Sequence, residues 1–169
     1  MNYYQSLGYL VLGSRLKRLS ELFLSEINKA YRLQGIAFET TWFPVFQLLD
    51  KHKVLTIQEI AEQMEVSQPG ASQLIAGLKQ KGLVCSQAHA ADARKQQITL
   101  SEQGKTLLMR VKPVWEAIRI AMEDMAGTDG HHLLENLTRL EDEFKSKGLV
   151  NNIMENLNSK NIISHEENI

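Results

Sequence analysis

The stretch TIQEIAEQMEVSQPGASQLIAGLKQKGLVCSQAHAADARKQQITLSEQGK, residues 56–105, decides how this chain folds. Thr56 stands three residues before Glu59, the spacing of a capping box. Ile57, Ile60, Ala61 and Met64 then recur at helical intervals. Glu65-Val66 makes a turn. Ser67 is a suitable N-cap for a second helix, with Pro69 in its first turn. Ala71, Leu74, Ile75 and Leu78 face inward on that helix, which leaves Gln68, Gly70, Ser72, Gln73 and Lys79 on the outer face. Gly82 stops the helix. Leu83–Gln87 and Gln96–Leu100 read as short strands joined by a long hairpin loop, Ala88–Lys95, and long loops of this kind usually carry a function. Ser101 caps a further helix, and Glu102 in its first turn suits the helix dipole. Two helices joined by a tight turn and followed by a β-ribbon predict a winged helix-turn-helix, a unit suited to the grooves of duplex DNA.

Residues 3–33 read as one long helix, either continuous or beginning near Gly13, with Gln34-Gly35 as its C-cap. Its apolar belt is too broad for a single buried stripe and predicts burial against two partners, one of them in a second chain. Thr40 or Thr41 is expected to cap a helix running to about His52, with Pro44 in its first turn. The helix from Ser101 is expected to reach about Ala126 and to kink at Pro113. A break at Gly127–Gly130 precedes a sixth helix carrying Leu133, Leu134, Leu137, Leu140 and Phe144. A short helix, Leu149–Leu157, and a frayed polar tail end the chain. The expected class is mainly α with a small β-wing.

The totals narrow the function. The chain has 169 residues, a net charge of −1 and one cysteine, Cys85. No apolar run approaches the ~18 residues of a membrane span, and no signal peptide is evident. A single thiol suits a reducing cytoplasm. Residues 79–112 hold seven Lys/Arg against two Asp/Glu, whereas residues 116–169 hold five against eleven. That asymmetry places a positive field at the wing and an acidic rear. Cys85 is expected to pack inward as a small apolar residue. His131 and His132 are adjacent and point to different helix faces, and no His-x-x-x-His or Cys-x-x-Cys spacing occurs, so neither metal nor cofactor is expected. No nucleophile–base–orienter set and no Gly-rich phosphate loop points to an enzyme.

Val66-Ser67, Ala71-Ser72, Leu78-Lys79, Lys81-Gly82-Leu83-Val84, Asp92-Ala93-Arg94, Leu100-Ser101 and Gly104 resemble the winged-helix signature of the MarR family of bacterial transcription regulators. The resemblance covers roughly residues 5–145. It implies one MarR-like domain over 1–169, with a DNA-binding lobe at 36–104, a helical dimerisation lobe at 1–35 and 105–158, and a flexible tail at 159–169. It further implies a cytoplasmic homodimer that represses from a pseudo-palindromic operator and releases it when a small aromatic or anionic effector binds.

Candidate DNA contacts are then Ser67, Gln68, Pro69, Gly70, Ser72, Gln73, Lys79, Arg94 and Lys95. Gln can pair with adenine in the major groove. By the resemblance Arg94 enters the minor groove, whose negative potential draws an arginine in, while Asp92 braces the wing. The aromatics Trp42, Phe46 and Trp115, with Arg15, are candidate effector-pocket residues. The chain departs from the family where many members are basic, carrying Gln73, Ala76-Gly77 and Cys85-Ser86. Fewer phosphate contacts predict a shallow salt dependence. The alternative reading is an interaction or accessory module that keeps the winged helix but binds DNA weakly.

Overall fold

The computed structural model describes the backbone of residues 3–89 and 92–166 and the side chains of residues 3–87 and 96–159. The chain divides into two compact units, residues 1–118 and 119–169. The first begins with a short helix, α1 (Tyr3–Ser6), and a 3₁₀ turn (Gly8–Val11), followed by α2 (Leu12–Leu33). Gly8 at φ +56° interrupts the helix predicted for residues 3–33. The end of α2 is closed by two bonds, Gly35 N–H to Arg32 O and Ile36 N–H to Tyr31 O. They require a left-handed residue at Gly35, which adopts φ +61°.

A 3₁₀ turn (Thr40–Trp42) leads into α3 (Phe43–His52), with Pro44 in its first turn. Neither Thr40 nor Thr41 caps α3, contrary to expectation. Thr40 is held instead by Asn28 of α2, whose Oδ1 accepts from the Thr40 backbone at 3.0 Å and hydroxyl at 2.7 Å. A distant carboxamide has displaced the local cap.

Next come β1 (Leu55–Thr56), α4 (Ile57–Gln63) and α5 (Gln68–Gln80). The Thr56–Glu59 capping box is formed in both directions. The turn between α4 and α5 places Glu65 at φ +52°. The hairpin strands are β2 (Val84–His89) and β3 (Asp92–Leu100), and β1 completes an antiparallel sheet of order β1-β3-β2. The strands extend through most of what reads as a long loop in the sequence. Ala88 pairs with Gln96 and His89 with Asp92, so residues 93–95 form a bulge opposite the Ala88–His89 step. The sequence carries no repeat of apolar residues there, and backbone pairing extends the ribbon without one. Cys85 is exposed rather than inward-facing. Val84 is the buried member of that strand pair, and side chains alternate across a sheet.

α6 (Glu102–Ala126) leaves the wing and continues through Pro113. Four features fasten its start. Ser101 Oγ accepts from Gly104 N–H at 3.0 Å. The same hydroxyl donates to the Gly82 carbonyl. Ser101 N–H donates to Leu83 O at 3.1 Å. Gly104 lies so close to the Leu83 carbonyl that an added Cβ would sit 2.0 Å from its oxygen. The Leu-Ser-x-x-Gly spacing is therefore a steric requirement of this junction.

The core of the first unit gathers Tyr31, Phe38, Trp42, Val45, Phe46, Leu49, Ile60, Ile75, Leu78, Ile98, Val111 and Trp115. Phe38 is its hub, meeting Tyr31, Trp42, Phe46 and Trp115 edge-on at centroid distances of 5.1–5.8 Å. Each such pair adds ~0.5–1.5 kcal/mol beyond area burial. The Trp115 indole N–H donates to Tyr31 Oη at 2.9 Å, which satisfies both buried polar atoms. Burial raises the Tyr31 pKa, with the Trp115 bond opposing it. α3 and α6 are also joined at the surface, where Asp50 pairs with Lys112 at 2.6 Å and with Lys53 at 3.5 Å.

The second unit contains the end of α6 with α7 (Gly130–Ser146) and α8 (Leu149–Glu166). α8 runs on to Glu166, past the end expected at Leu157 and through most of the expected tail. Much apolar surface is uncovered in both units. Leu16, Leu19, Leu22 and Leu24 are exposed on α2, as are Leu133, Leu134 and Phe144 on α7 and Leu149, Val150, Ile153, Met154 and Leu157 on α8.

Gly104→Ala should lower unfolding stability in urea by about 2–3 kcal/mol, and Ser101→Ala by about 1 kcal/mol; an unchanged midpoint for the first would refute the close approach to Leu83. The hydrogen bond from Lys112, aided by Lys53 and opposed by burial, holds Asp50 below the usual carboxylate range. Its stabilising contribution is present above the unfolded value, near 3.9, and is lost as pH falls through the lower folded value. Asp50→Asn should thus cost at most about 1 kcal/mol at neutral pH and flatten stability against pH in that acid window. Native protein should titrate one thiol per chain with a disulfide reagent, without denaturant, because Cys85 is exposed.

Candidate nucleic-acid interface

The N-terminal turns of α5 form an exposed polar surface on a firmly set helix. Ser67 Oγ accepts from Gly70 N–H at 3.3 Å, closing the cap. An added Cβ at Gly70 would meet that hydroxyl at 3.2 Å, so glycine keeps the cap unhindered. Pro69 costs nothing in the first turn, where its missing N–H would have no helical partner. Ala71, Ile75 and Leu78 anchor the inner face. Gln68, Pro69, Gly70 and Gln73 are exposed on the outer side, and Ser72 is half-buried. These carboxamides and this hydroxyl offer donors and acceptors to base edges, with no fixed charge among them.

Lys79 lies further along α5 and is half-buried. Its ammonium donates to Gln96 Oε1 of β3 at 3.1 Å. The side chain read from sequence as a DNA contact also ties the helix to the base of the wing. Residues 92–95 belong to β3, with Ala93, Arg94 and Lys95 in the bulge. A bulge bends a strand and redirects its residues. The side chains of Asp92, Arg94 and Lys95 lie outside the described residues, so the bracing and contact roles expected of them rest on the sequence. The cap, the outer face of α5 and the wing strands belong to one lobe because Ser101 joins the end of α5 to the start of α6.

Three of the four candidate pocket residues, Trp42, Phe46 and Trp115, meet around Phe38, and Arg15 stands apart from them. Phe46 is fully buried and Trp115 nearly so, both within the aromatic core. Arg15 is exposed on α2. Trp42 lines a cleft, a space of ≈ 510 Å³ whose other walls include Gly35, Lys81, Gln103, Thr106 and Arg110. An adjoining cleft of ≈ 410 Å³ shares Ala37, Trp42 and Lys81 and adds Arg32 and Glu39. Lys81 Nζ sits 5.3 Å from the centroid of the Trp42 ring, and Arg110 Nη2 donates to Gly35 O at 3.0 Å. Sequence reasoning gave Arg110 no role and placed Lys81 only in the winged-helix signature. The signal was absent because Arg110 meets a carbonyl 75 positions away. Among the described residues no group of three His, Cys, Asp or Glu side chains could hold a metal ion, and no helix is long and apolar enough to cross a membrane.

Comparison with known proteins agrees with this geometry. Residues 38–95 match the model of the MarR family. No curated protein matches the chain as a whole. Among solved structures, the transcriptional repressor CouR bound to a 23-mer DNA duplex is 22% identical, with a TM-score of 0.67, covering 80% of this chain and 96% of that one. A mutant of MarR from E. coli complexed with operator DNA is 15% identical, with a TM-score of 0.67, covering 82% and 97%. BpsR of Bordetella bronchiseptica, whose DNA binding is regulated by 6-hydroxynicotinic acid, is 18% identical, with a TM-score of 0.67, covering 78% and 93%. Residues 38–95 are thus similar in sequence to the MarR family, and about four-fifths of the chain shares the winged-helix fold of these structures.

Proposed function

We propose that the protein is a homodimeric transcriptional regulator, a cytoplasmic repressor that grips a pseudo-palindromic operator and releases it when a small molecule binds. The observation that carries this reading is the capped N-terminus of α5, which presents Gln68, Ser72 and Gln73 from a helix locked to the wing. In this reading Ser67 and the free backbone amides near it meet a phosphate. Pro69 and Gly70 permit close approach. Gln68, Ser72 and Gln73 address bases, and Arg94 enters the minor groove with Lys95 on a flanking phosphate. Asp92 braces the wing. Lys79 contributes mainly by holding the wing base.

The apolar surface exposed on α2, α7 and α8 supports a dimer. Large apolar side chains left exposed mark interaction surfaces, and a two-fold pair would set two recognition helices about 34–36 Å apart, one turn of DNA. The fold shared with DNA-bound CouR and MarR, and with the ligand-regulated BpsR, supports the same assignment. A second reading, an interaction module with weak DNA affinity, is favoured by one observation: from Gln68 to Leu78 the recognition helix carries no basic side chain.

Binding to the DNA upstream of its own gene separates the two readings. Arg94→Ala should weaken operator affinity about tenfold or more, since a bidentate or groove-inserted arginine contributes ~1–3 kcal/mol. The slope of log affinity against log salt should stay shallow, each lost phosphate contact reducing it by ~0.9. Operator affinity indifferent to Arg94→Ala would remove the wing from the interface. A slope as steep as that of strongly basic repressors would contradict the polar character assigned to α5.

A further inference from the structure

We propose that a second cleft, between the end of α3, strand β3 and the start of α6, binds an aliphatic α-amino acid as its zwitterion. The proposal goes beyond the regulator reading and does not depend on it. α6 separates this cleft from the one beside Trp42. Gln103, Thr106, Leu107 and Arg110 face the Trp42 cleft, whereas Lys105 and Leu108, half a turn round the helix, face this one. Its volume is ≈ 440 Å³, within the range of small-molecule sites. Leu49, Leu100 and Leu108 give it a floor of buried aliphatic side chains, with Val54 exposed at the edge. Among the described residues no aromatic ring lines it, so the floor suits a branched aliphatic group rather than a flat one.

The mouth carries both signs of charge. Lys53 and Lys105 line it as cations and Asp50 as an anion, with the Thr99 hydroxyl beside them. Asp50 Oδ2 is taken by Lys112 at 2.6 Å. Its Oδ1 has Lys53 Nζ at 3.5 Å, longer than a well-formed hydrogen bond, so an entering ammonium can close on that oxygen. Lys105 is engaged by Glu102 at 2.7 Å in an exposed i,i+3 pair, and exposed pairs of this kind contribute little and are readily exchanged. A ligand carboxylate can then draw on Lys53 and Lys105, with Thr99 Oγ1, now against Cys85 Sγ at 3.1 Å, as a further donor. An α-amino acid presents both charges and its side chain from one carbon. A simple acid or a simple amine answers only half of this mouth.

The backbone at the mouth points the same way. Lys53 is the middle residue of a three-residue turn closed by Val54 N–H to His52 O at 2.8 Å. It adopts φ 66° and ψ −43°. This is the strained form of the γ-turn, and glycine would adopt it far more easily than a residue with a side chain. Strain of this kind persists where a site requires a particular side chain. Here the turn folds the lysine stem back over the end of α3, where its ammonium meets the Asp50 carbonyl and stands at the cleft mouth. A bound zwitterion would bridge α3 through Asp50 and Lys53, β3 through Thr99, and α6 through Lys105.

The test is a titration of the full chain with L-leucine, followed by the backbone amide resonances. 4-Methylpentanoate lacks the ammonium and isoamylamine lacks the carboxylate. L-Leucine should move the Val54, Thr99 and Lys105 signals and leave those of Gly35 and Thr106 at the other cleft. Each analogue should bind about tenfold more weakly, the loss of one charge-assisted contact. Asp50→Asn should weaken leucine binding about tenfold and leave that of 4-methylpentanoate unchanged. Lys53→Gly is the deciding variant. Glycine relaxes the turn, so the unfolding midpoint should hold or rise while leucine binding falls about tenfold. Three results overturn the proposal: unmoved Val54, Thr99 and Lys105 signals, 4-methylpentanoate binding as tightly as leucine, or a folded Lys53→Gly that binds leucine as before. If Lys53→Gly does not fold, Asp50→Asn decides alone, and undiminished leucine binding by it overturns the proposal. Failure to bind an operator would count against the regulator reading and leave this one standing.

Discussion

The Leu83 carbonyl is the point on which the winged-helix lobe depends. It accepts from Ser101 N–H and lies against Gly104. The preceding residue, Gly82, adopts φ +69° and ends the recognition helix, and its own carbonyl accepts from Ser101 Oγ. Helix end, both wing strands and the start of α6 thus meet within a few atoms. A side chain at position 104 would force α6 away from Leu83. The wing would then lose its fixed relation to α5.

Behind this junction the aromatic core does a different task. Phe38 enters from the short connection after α2 and makes edge contacts with rings from α2, α3, α6 and the turn before α3. Edge-to-face geometry orients rings, where aliphatic packing would tolerate rotation. The Tyr31–Trp115 hydrogen bond sets the distance between α2 and α6 in the same core. Trp42 closes one side of the core and forms a cleft wall on the other.

The helix-turn-helix was legible because each of its signals is local. Thr56 and Glu59, or Ser67 and the Gly70 amide, lie within one turn of each other, and local spacing is what a sequence displays. The Leu-Ser-x-x-Gly pattern was visible too, although its reason was not: the atom that excludes a Cβ at Gly104 belongs to Leu83, across the wing. Readings failed where a long-range partner overrode a local rule. Asn28 took Thr40 away from its expected cap. Strand pairing carried β2 and β3 into residues that look like a loop. Cys85 faces outward because its pairing with Thr99 fixes the strand parity, which composition alone does not reveal.

By itself the sequence determined the helix-turn-helix and the outer face of α5, since caps, glycine stops and helical periodicity act over a few residues. It also determined that this face is polar rather than basic. Tertiary structure decided what the cations are for. It turned Lys79 toward Gln96 and Lys81 toward Trp42, and it placed Arg110 at the Gly35 carbonyl. A lysine or arginine carries its charge on a long flexible stem, so its role depends on which distant partner the fold brings within reach.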